Sequence, residues 1–377
     1  MIVREVKLKL NSTQDKVLNQ WLWHLTVVYN WAIRRRELNL ERKIHEGWIS
    51  SLEFQNLLAG TSRKLNISSH TIQAILVQAD TAWERCFKKI SGKPRFKGKR
   101  NKLTSIPFPD VIPPPENNKF KIAKSFLGTL NYFKQDLPQG KIKCGRIIKR
   151  ASGWYLSLVI DTIAHKFKVK ETQEIIGIDP GFSTLLTLSN GEKIQNPREL
   201  RKREKKLGQA QRGHNKKLVP RLHERQANIR KDRNHKISRR LLENYQTIFY
   251  SKDSFNKLAQ RDKPKYNPKT KQLERKRGFG KSVREAGLGQ LFGMMTYKAQ
   301  LLADRKVIPV ESVNSTKCCS TCGNLSGPSG KNDLAVRYWE CEVCGTHHDR
   351  DINAAMNILN TGLGCSLENF GNKMSEN

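Results

Sequence analysis

The chain has 377 residues, room for two or three domains, and 37% apolar residues, enough for real cores. Its 70 Lys and Arg against 34 Asp and Glu give a formal charge of +36, an excess that solubility does not require and that a polyanion would balance. No apolar run approaches the roughly 18 to 20 residues of a spanning helix, and no export signal is read at its start, which sets aside membrane-embedded and secreted classes.

Residues 2 to 10 alternate as a strand, and the STQD stretch at 12 to 15 offers a capping box for a helix. Val17, Leu18, Trp21, Leu22, Leu25, Val28, Tyr29, Ala32 and Ile33 then recur at helical spacing and end in the triplet Arg34, Arg35, Arg36. A second long helix is predicted from Ser69 to Ile90, with Ile72, Ile75, Leu76, Ala79, Trp83, Cys86 and Phe87 on one side. These aromatic stripes read as core rather than as base-stacking surface. The segment GKPRFKGKR at 92 to 100 closes the helical part with five cations, among them Lys93, Arg95 and Lys97.

From Leu103 to Ile163 the texture changes to short strand-like runs, at 106 to 108, 120 to 122, 141 to 148 and 154 to 160, separated by Pro and Gly. A small β-barrel is the economical reading, its first strand supplied by residues 2 to 10 and its helices inserted after it. After a linker at 164 to 173, EIIGIDPGFSTLLTLSNGEKI reads as a strand, a turn at Pro180-Gly181, a second strand and a hairpin turn at Asn190-Gly191. Residues 198 to 240 are helical and carry 17 cations against four acids, more than a hydrated face needs. Arg201, Lys205, Arg212, Lys216, Lys217 and Arg221 are candidates for phosphate contact, with the triplet and the 93 to 97 cations. A buried strand at 248 to 250 follows, then a loop at 256 to 281, a helix at 283 to 303, a strand at 307 to 310 and a last helix at 353 to 359.

Cys319 and Cys322, and Cys341 and Cys344, form two CxxC pairs with 18 residues between them, each followed by glycine. That is the spacing of a tetrathiolate zinc ribbon. Two disulfides are the alternative, and Cys318 competes with Cys319 as ligand, although the two-residue spacing favours Cys319. Such a closed site is structural rather than hydrolytic.

Asp179 ends the apolar run Ile175 to Ile178 beside Pro180-Gly181, where a metal ligand and a plain turn-former are both served. Asp349 and Asp351 follow the cysteines; Asp351 is placed to open a helix, as metal ligand or as N-cap. Together in so basic a chain these acids suggest magnesium and in-line phosphodiester chemistry.

The stretches IGIDPGF at 176 to 182, EAGLGQLFGMMTYKA at 285 to 299, STKCCSTCG at 315 to 323 and CGTHHDRDINAAMNIL at 344 to 359 resemble the transposon-encoded TnpB nucleases, relatives of type V CRISPR effectors. The basic run 198 to 240, GKPRFKGKR and GWYLSLVID at 153 to 161 fit the same family, so the resemblance covers nearly the whole chain. It implies a mixed α+β multidomain protein: wedge barrel strand 1–10, helical recognition insertion 11–92, remainder of the barrel 93–172, RNase H-like RuvC domain 173–312, zinc ribbon 313–346, last RuvC part 347–362, and a disordered tail 363–377. It implies an RNA-guided DNA endonuclease, cytoplasmic and nucleoid-associated, whose partners are a guide RNA and a target duplex. Zn2+ and Mg2+ are its implied cofactors. Asp179 matches the first RuvC carboxylate and Asp351 the third, with Asp349 as a neighbour able to substitute.

The family ends the strand at 248 to 250 with a glutamate, and this chain has Ser251. A hydroxyl does not replace a carboxylate that balances two divalent ions. Three readings follow. Glu311, ending the neighbouring strand, enters the same site across one strand spacing; or Asp253 does; or the nuclease is inactive and the protein is a guided DNA binder, such as a repressor. A transposase joining DNA ends is a further class, with less support in these motifs.

Overall fold

The computed structural model describes all residues except 42–48, 100, 123–126, 163–171, 253–258, 260–264, 269–271, 275–278, 303, 329–331 and 365–377. The chain divides into two compact units between residues 165 and 166.

In the first unit, β1 (Ile2–Lys9) is followed by α1 (Ser12–Glu41), α2 (Ser51–Leu57), α3 (Thr61–Leu65) and α4 (Ser69–Phe87). Then come β2 (Ser105–Phe108), β3 (Lys119–Lys121), β4 (Thr129–Tyr132), β5 (Lys141–Arg150) and β6 (Gly153–Asp161). The strands form one antiparallel sheet in the order β2-β5-β6-β1-β4-β3, so the first strand lies well inside a sheet whose other strands follow the helices. The helix stripes are core: Trp21, Leu25, Tyr29 and Ile33 of α1 pack with Ile75, Leu76 and Trp83 of α4 and with the inward residues of the sheet. Helix α1 begins one residue earlier than its sequence suggests, because Asn11 and Gln14, not Ser12 and Asp15, exchange side-chain and backbone bonds at 3.2 and 2.7 Å.

In the second unit, β7 (Ile175–Pro180), β8 (Thr184–Leu188) and β9 (Lys193–Gln195) make an antiparallel meander. Helices α5 (Glu199–Lys202), α6 (Glu204–Arg212) and α7 (Leu218–Asn244) lead to β10 (Thr247–Ser251), then to the small hairpin β11 (Lys265–Asn267) and β12 (Gln272–Glu274), the described part of the loop expected at 256 to 281. Helices α8 (Gly280–Ala286) and α9 (Leu288–Gln300), β13 (Lys306–Val310), a 3-10 turn at Asn332–Ala335, β14 (Tyr338–Glu340), β15 (His347–Asp349) and α10 (Arg350–Gly362) complete it. The main sheet runs β13-β10-β7-β8-β9, with β13, β10 and β7 mutually parallel.

Where one helix was expected over 283 to 303 there are two. Gly287 adopts φ +62°, a left-handed conformation that interrupts the helix, and its carbonyl accepts the Asn234 amide at 3.1 Å.

Alternation along the strands sorts the sheet faces. Ile176, Ile178 and Ile248 point into a core with Leu241 and Leu242 of α7 and Leu291, Phe292 and Met295 of α9. Gly177 faces the other way, against α10. A Cβ there would collide with the Ala355 carbonyl and stand 2.7 Å from the Leu359 backbone nitrogen. Backbone cannot step aside as a flexible side chain can, so we expect Gly177→Ala to lower unfolding stability by about 3 kcal/mol, read as a shift in denaturant midpoint at unchanged slope.

Candidate functional site: strand ends, first turn of α10 and the cysteine ribbon

Asp179 stands two residues beyond Gly177 and therefore on the face that α10 covers. Strand β10 runs parallel to β7 with Phe249 opposite Gly177 and Tyr250 opposite Ile178. One step further, Ser251 comes beside Asp179 on the same face. The acid missing from the sequence is thus missing from the position next to Asp179. Ser251 is buried, 1% exposed, and its hydroxyl lies 2.7 Å from that of Ser312.

Glu311 does not fill the gap. Ser251 pairs with Val310, and the residue after Val310 points to the opposite side by the two-residue period of a strand. Glu311 accordingly meets Lys252, also one step past its strand's paired residue, at 2.9 Å, and its side chain is 71% exposed. Among the described residues, Asp179, Glu311 and Asp351 do not form a group with ligand atoms within 4.8 Å of one another. The reading that moves the glutamate to Glu311 is corrected on this geometry. Asp253 lies outside the described residues.

Asp351 sits in the first turn of α10, but Asp349 is the N-cap: its carboxylate accepts the N–H groups of Asp351 and Ile352 at 3.0 and 3.1 Å. The cap role allowed for Asp351 therefore belongs to its neighbour, and the helix starts three residues before the predicted 353. Asp351 is left with an ion pair to Arg337 at 3.5 Å. Burial pushes the Asp349 carboxyl up, but Lys193 at 2.6 Å and the two helix N–H groups outweigh it and hold the group below the usual range.

A depressed carboxyl stabilises the fold above its unfolded value, near pH 4, and loses that contribution as pH falls through the lower folded value. We expect Asp349→Asn to cost about 1 kcal/mol at pH 7 and to flatten the acid limb of stability below pH 4, measured by denaturant unfolding from pH 2.5 to 7.

The four cysteines converge. The ligand atoms of Cys319, Cys322, Cys341 and Cys344 lie within 4.8 Å of one another. Cys319 to Cys344 is 3.7 Å and Cys322 to Cys341 is 3.5 Å, against the edge of about 3.8 Å that a tetrahedron of Zn–S bonds requires. The first cysteine of each pair also accepts backbone N–H groups from its own turn, Cys319 from Thr321 and Cys322, Cys341 from Val343 and Cys344. Burial pushes the Cys322 thiol up to about 12. At Cys341 burial acts the same way but is outweighed by the Ser326 hydroxyl and those N–H groups, which bring it to about 6. The donor set fits zinc. Cys318, the competing ligand, turns away and donates to the Gly323 carbonyl at 3.3 Å, while His348 Nε2 lies 3.0 Å from Cys319 Sγ.

The candidate nucleic-acid cations separate into two kinds. Arg36 is no surface group: it is fully buried on the inner face of α1, paired with Asp80 at 2.6 Å, bonded to the Ile49 carbonyl and stacked on Phe54. Its place in the triplet is corrected, because helical spacing from Tyr29 and Ile33 turns it inward. Arg201 closes on the buried Glu285 at 3.2 Å. Arg35, Lys205, Arg212, Lys216, Lys217 and Arg221 are exposed.

Arg34 and Lys93 are also exposed, and both hold Glu37 beside an open groove of about 720 Å³ lined by Tyr29, Arg95, Phe96 and Lys97. Sequence reading missed Arg230 and Arg233, whose guanidiniums reach the Arg284 and Ala286 carbonyls and join α7 to α8. Nothing in a run of 17 cations marks which ones turn inward. Among the described residues no helix is long and apolar enough to cross a membrane.

A family model described as "Probable transposase" matches residues 159–261, and one described as "Cas12f1-like, TNB domain" matches 289–358, the stretch from α9 through the ribbon to α10. Among the similar proteins are several named "Putative RNA-guided DNA endonuclease". One, from Streptomyces pristinaespiralis, is 31% identical over 80% of this chain and 73% of its own. Another, InsQ of Escherichia coli K12, is 25% identical over 94% and 91%. A Cas12f1 chain solved with sgRNA and target DNA superposes at a TM-score of 0.35 and 18% identity, covering 96% of this chain and all of that one. The family matches and the two named sequence relatives define a transposon-associated protein, and in this chain a cysteine ribbon stands ahead of its last helix. The chain belongs to the TnpB family.

Proposed function

We propose that this protein is an RNA-guided DNA endonuclease, that a guide RNA selects its duplex target by base pairing, and that Asp179 and Asp351 are its magnesium carboxylates. The observation that carries the reading is the placement of Asp179 at the end of the central strand of the sheet, on the face covered by the helix whose first turn holds Asp351. The strand order, an antiparallel meander continued by two parallel strands, supports an RNase H-like RuvC domain. The exposed cations of α6 and α7 suit phosphate contacts, which position nucleic acid without reading its sequence.

Magnesium takes one or two protein carboxylates and keeps waters or substrate phosphates for the rest. Two aspartates fit one such ion and fall a carboxylate short of a two-ion site. When bound, the ion supplies charge stabilisation to the phosphodiester. The chain's own part is to hold both carboxylates on a glycine-packed helix–strand contact and to close the neighbouring position with two hydroxyls.

That closure favours a second reading, a guided DNA binder that does not cut. The test reconstitutes full-length protein with its guide RNA, a matching duplex and magnesium. Guide-dependent cleavage supports the first reading; tight guided binding with intact DNA overturns it in favour of the second. If the protein cuts, we expect Ser251→Glu combined with Ser312→Ala, which returns an acid beside Asp179 and makes room for it, to raise the cleavage rate by about 10²-fold, on the order of 3 kcal/mol of barrier; if it only binds, the same variant is expected to gain guide-dependent cleavage.

A further inference from the structure

We infer that Asn353 and Asn357 are positioning residues that fasten the first cysteine turn to α10, so that zinc occupancy fixes where Asp351 points; the second half rests on the reading of Asp351 proposed above. The two asparagines are four apart, on one helical face, and both are buried, at 1% and 0% exposure.

Asn353 Nδ2 donates to the carbonyls of Cys318 and Ser315 at 2.8 and 3.3 Å. Asn357 Nδ2 donates to the same two oxygens at 2.7 and 2.8 Å. Each carbonyl therefore accepts twice, which uses both of its lone pairs. Asn353 Oδ1 also accepts the backbone N–H of Ser320 at 2.8 Å, and Ser320 lies between the two ligands Cys319 and Cys322. One side chain grips the turn immediately before the cysteine pair and the loop inside it.

Asparagine is a poor residue for a helix interior, and a buried amide is costly unless it is bonded. Their Nδ2 groups are bonded only while residues 315 to 320 keep their turn, and the cysteines hold that turn. The opposite side of α10 is the sheet side. Asp351, Ala355, Ile358 and Gly362 follow one another at spacings of four, three and four; Ala355 and Ile358 are fully buried, and Gly362 lies over the Phe249 ring.

The helix is thus held between ribbon and sheet, and on the sheet side it is held mainly by Ile358 and close backbone contact with Gly177. On the ribbon side the four amide bonds resist rotation about its axis. Turning α10 by one residue, about 100°, would carry Asp351 off the face it shares with Asp179.

The test uses the full-length chain bound to guide RNA, in wild type, in Asn353→Leu/Asn357→Leu, and in the milder Asn357→Asp, which keeps size but removes the donors. Three quantities are read: hydrogen exchange of amides 350–358 with zinc loaded, transfer of zinc to a chelator, and Mn2+ affinity by electron paramagnetic resonance. We expect exchange and zinc transfer to quicken about tenfold and Mn2+ half-saturation to rise about tenfold, the scale of outer partners of metal ligands, with guide RNA affinity unchanged.

Wild-type exchange and zinc transfer in both variants would overturn the fastening. If those two change while Mn2+ affinity does not, the control of Asp351 is overturned. If Asp179→Ala binds Mn2+ as wild type does, the metal reading itself fails, and exchange and zinc transfer still decide whether the fastening exists.

Discussion

Asp179→Asn is expected to reduce guided cleavage by about 10³-fold or more, roughly 4 kcal/mol of barrier, while the affinity of the guide-loaded protein for its duplex stays the same. Asp179 ends the central strand, and its neighbour across β10 is an uncharged hydroxyl. No second strand-end acid compensates for it among the described residues. Glu311→Ala is the informative control. Its carboxylate faces Lys252 on the solvent side, so its loss is expected to leave the rate within about twofold, a surface ion pair being worth at most about 1 kcal/mol. A rate that collapses in Glu311→Ala instead would return that residue to the site.

Cys341→Ser is expected to lose the zinc, measured as one ion per chain falling to none by mass spectrometry, and to unfold the ribbon. Among its described residues the ribbon has almost no core of its own. Its buried cluster consists of Cys319, Cys322 and Cys341, with Trp339 packed against it. Apolar burial on that scale cannot offset the ordering of some thirty residues at about 1 to 2 kcal/mol each, whereas structural zinc contributes on the order of 10 kcal/mol. Hydrogen exchange should show amides of 316–323 and 338–349 unprotected in the variant, with the amides of β7 and β10 still protected. A ribbon that stays protected without metal would sink the assignment.

Much of this was legible in the residue pattern, for reasons that differ between elements. The apolar runs at 175 to 178 and 248 to 250 announce buried parallel strands, and two CxxC pairs admit few other geometries. Long stripes such as Trp21 to Ile33 fix which helix face is core. They did not reveal that Arg36 continues that face, because an arginine closing a stripe looks like its polar end until Asp80 and Phe54 are seen around it.

Glu311 leaves the site for a similar reason. The sequence points to the adjacency of β10 and β13, which do pair, but adjacency says nothing of parity, and one residue of register decides whether a side chain enters a site or leaves it. The cap falls to Asp349 rather than Asp351 because a cap is defined by where the first turn closes, a matter of one or two residues that sequence does not resolve.

The hydroxyl pair at Ser251 and Ser312 bears on folding before any nucleic acid arrives. An acid at 251 would place a second negative charge beside Asp179 in a largely enclosed spot, and like charges there resist the native state until cations neutralise them. Two hydroxyls satisfy one another without help. This strand end therefore depends less on the supply of divalent ions while the chain is being made than an intact acidic trio would.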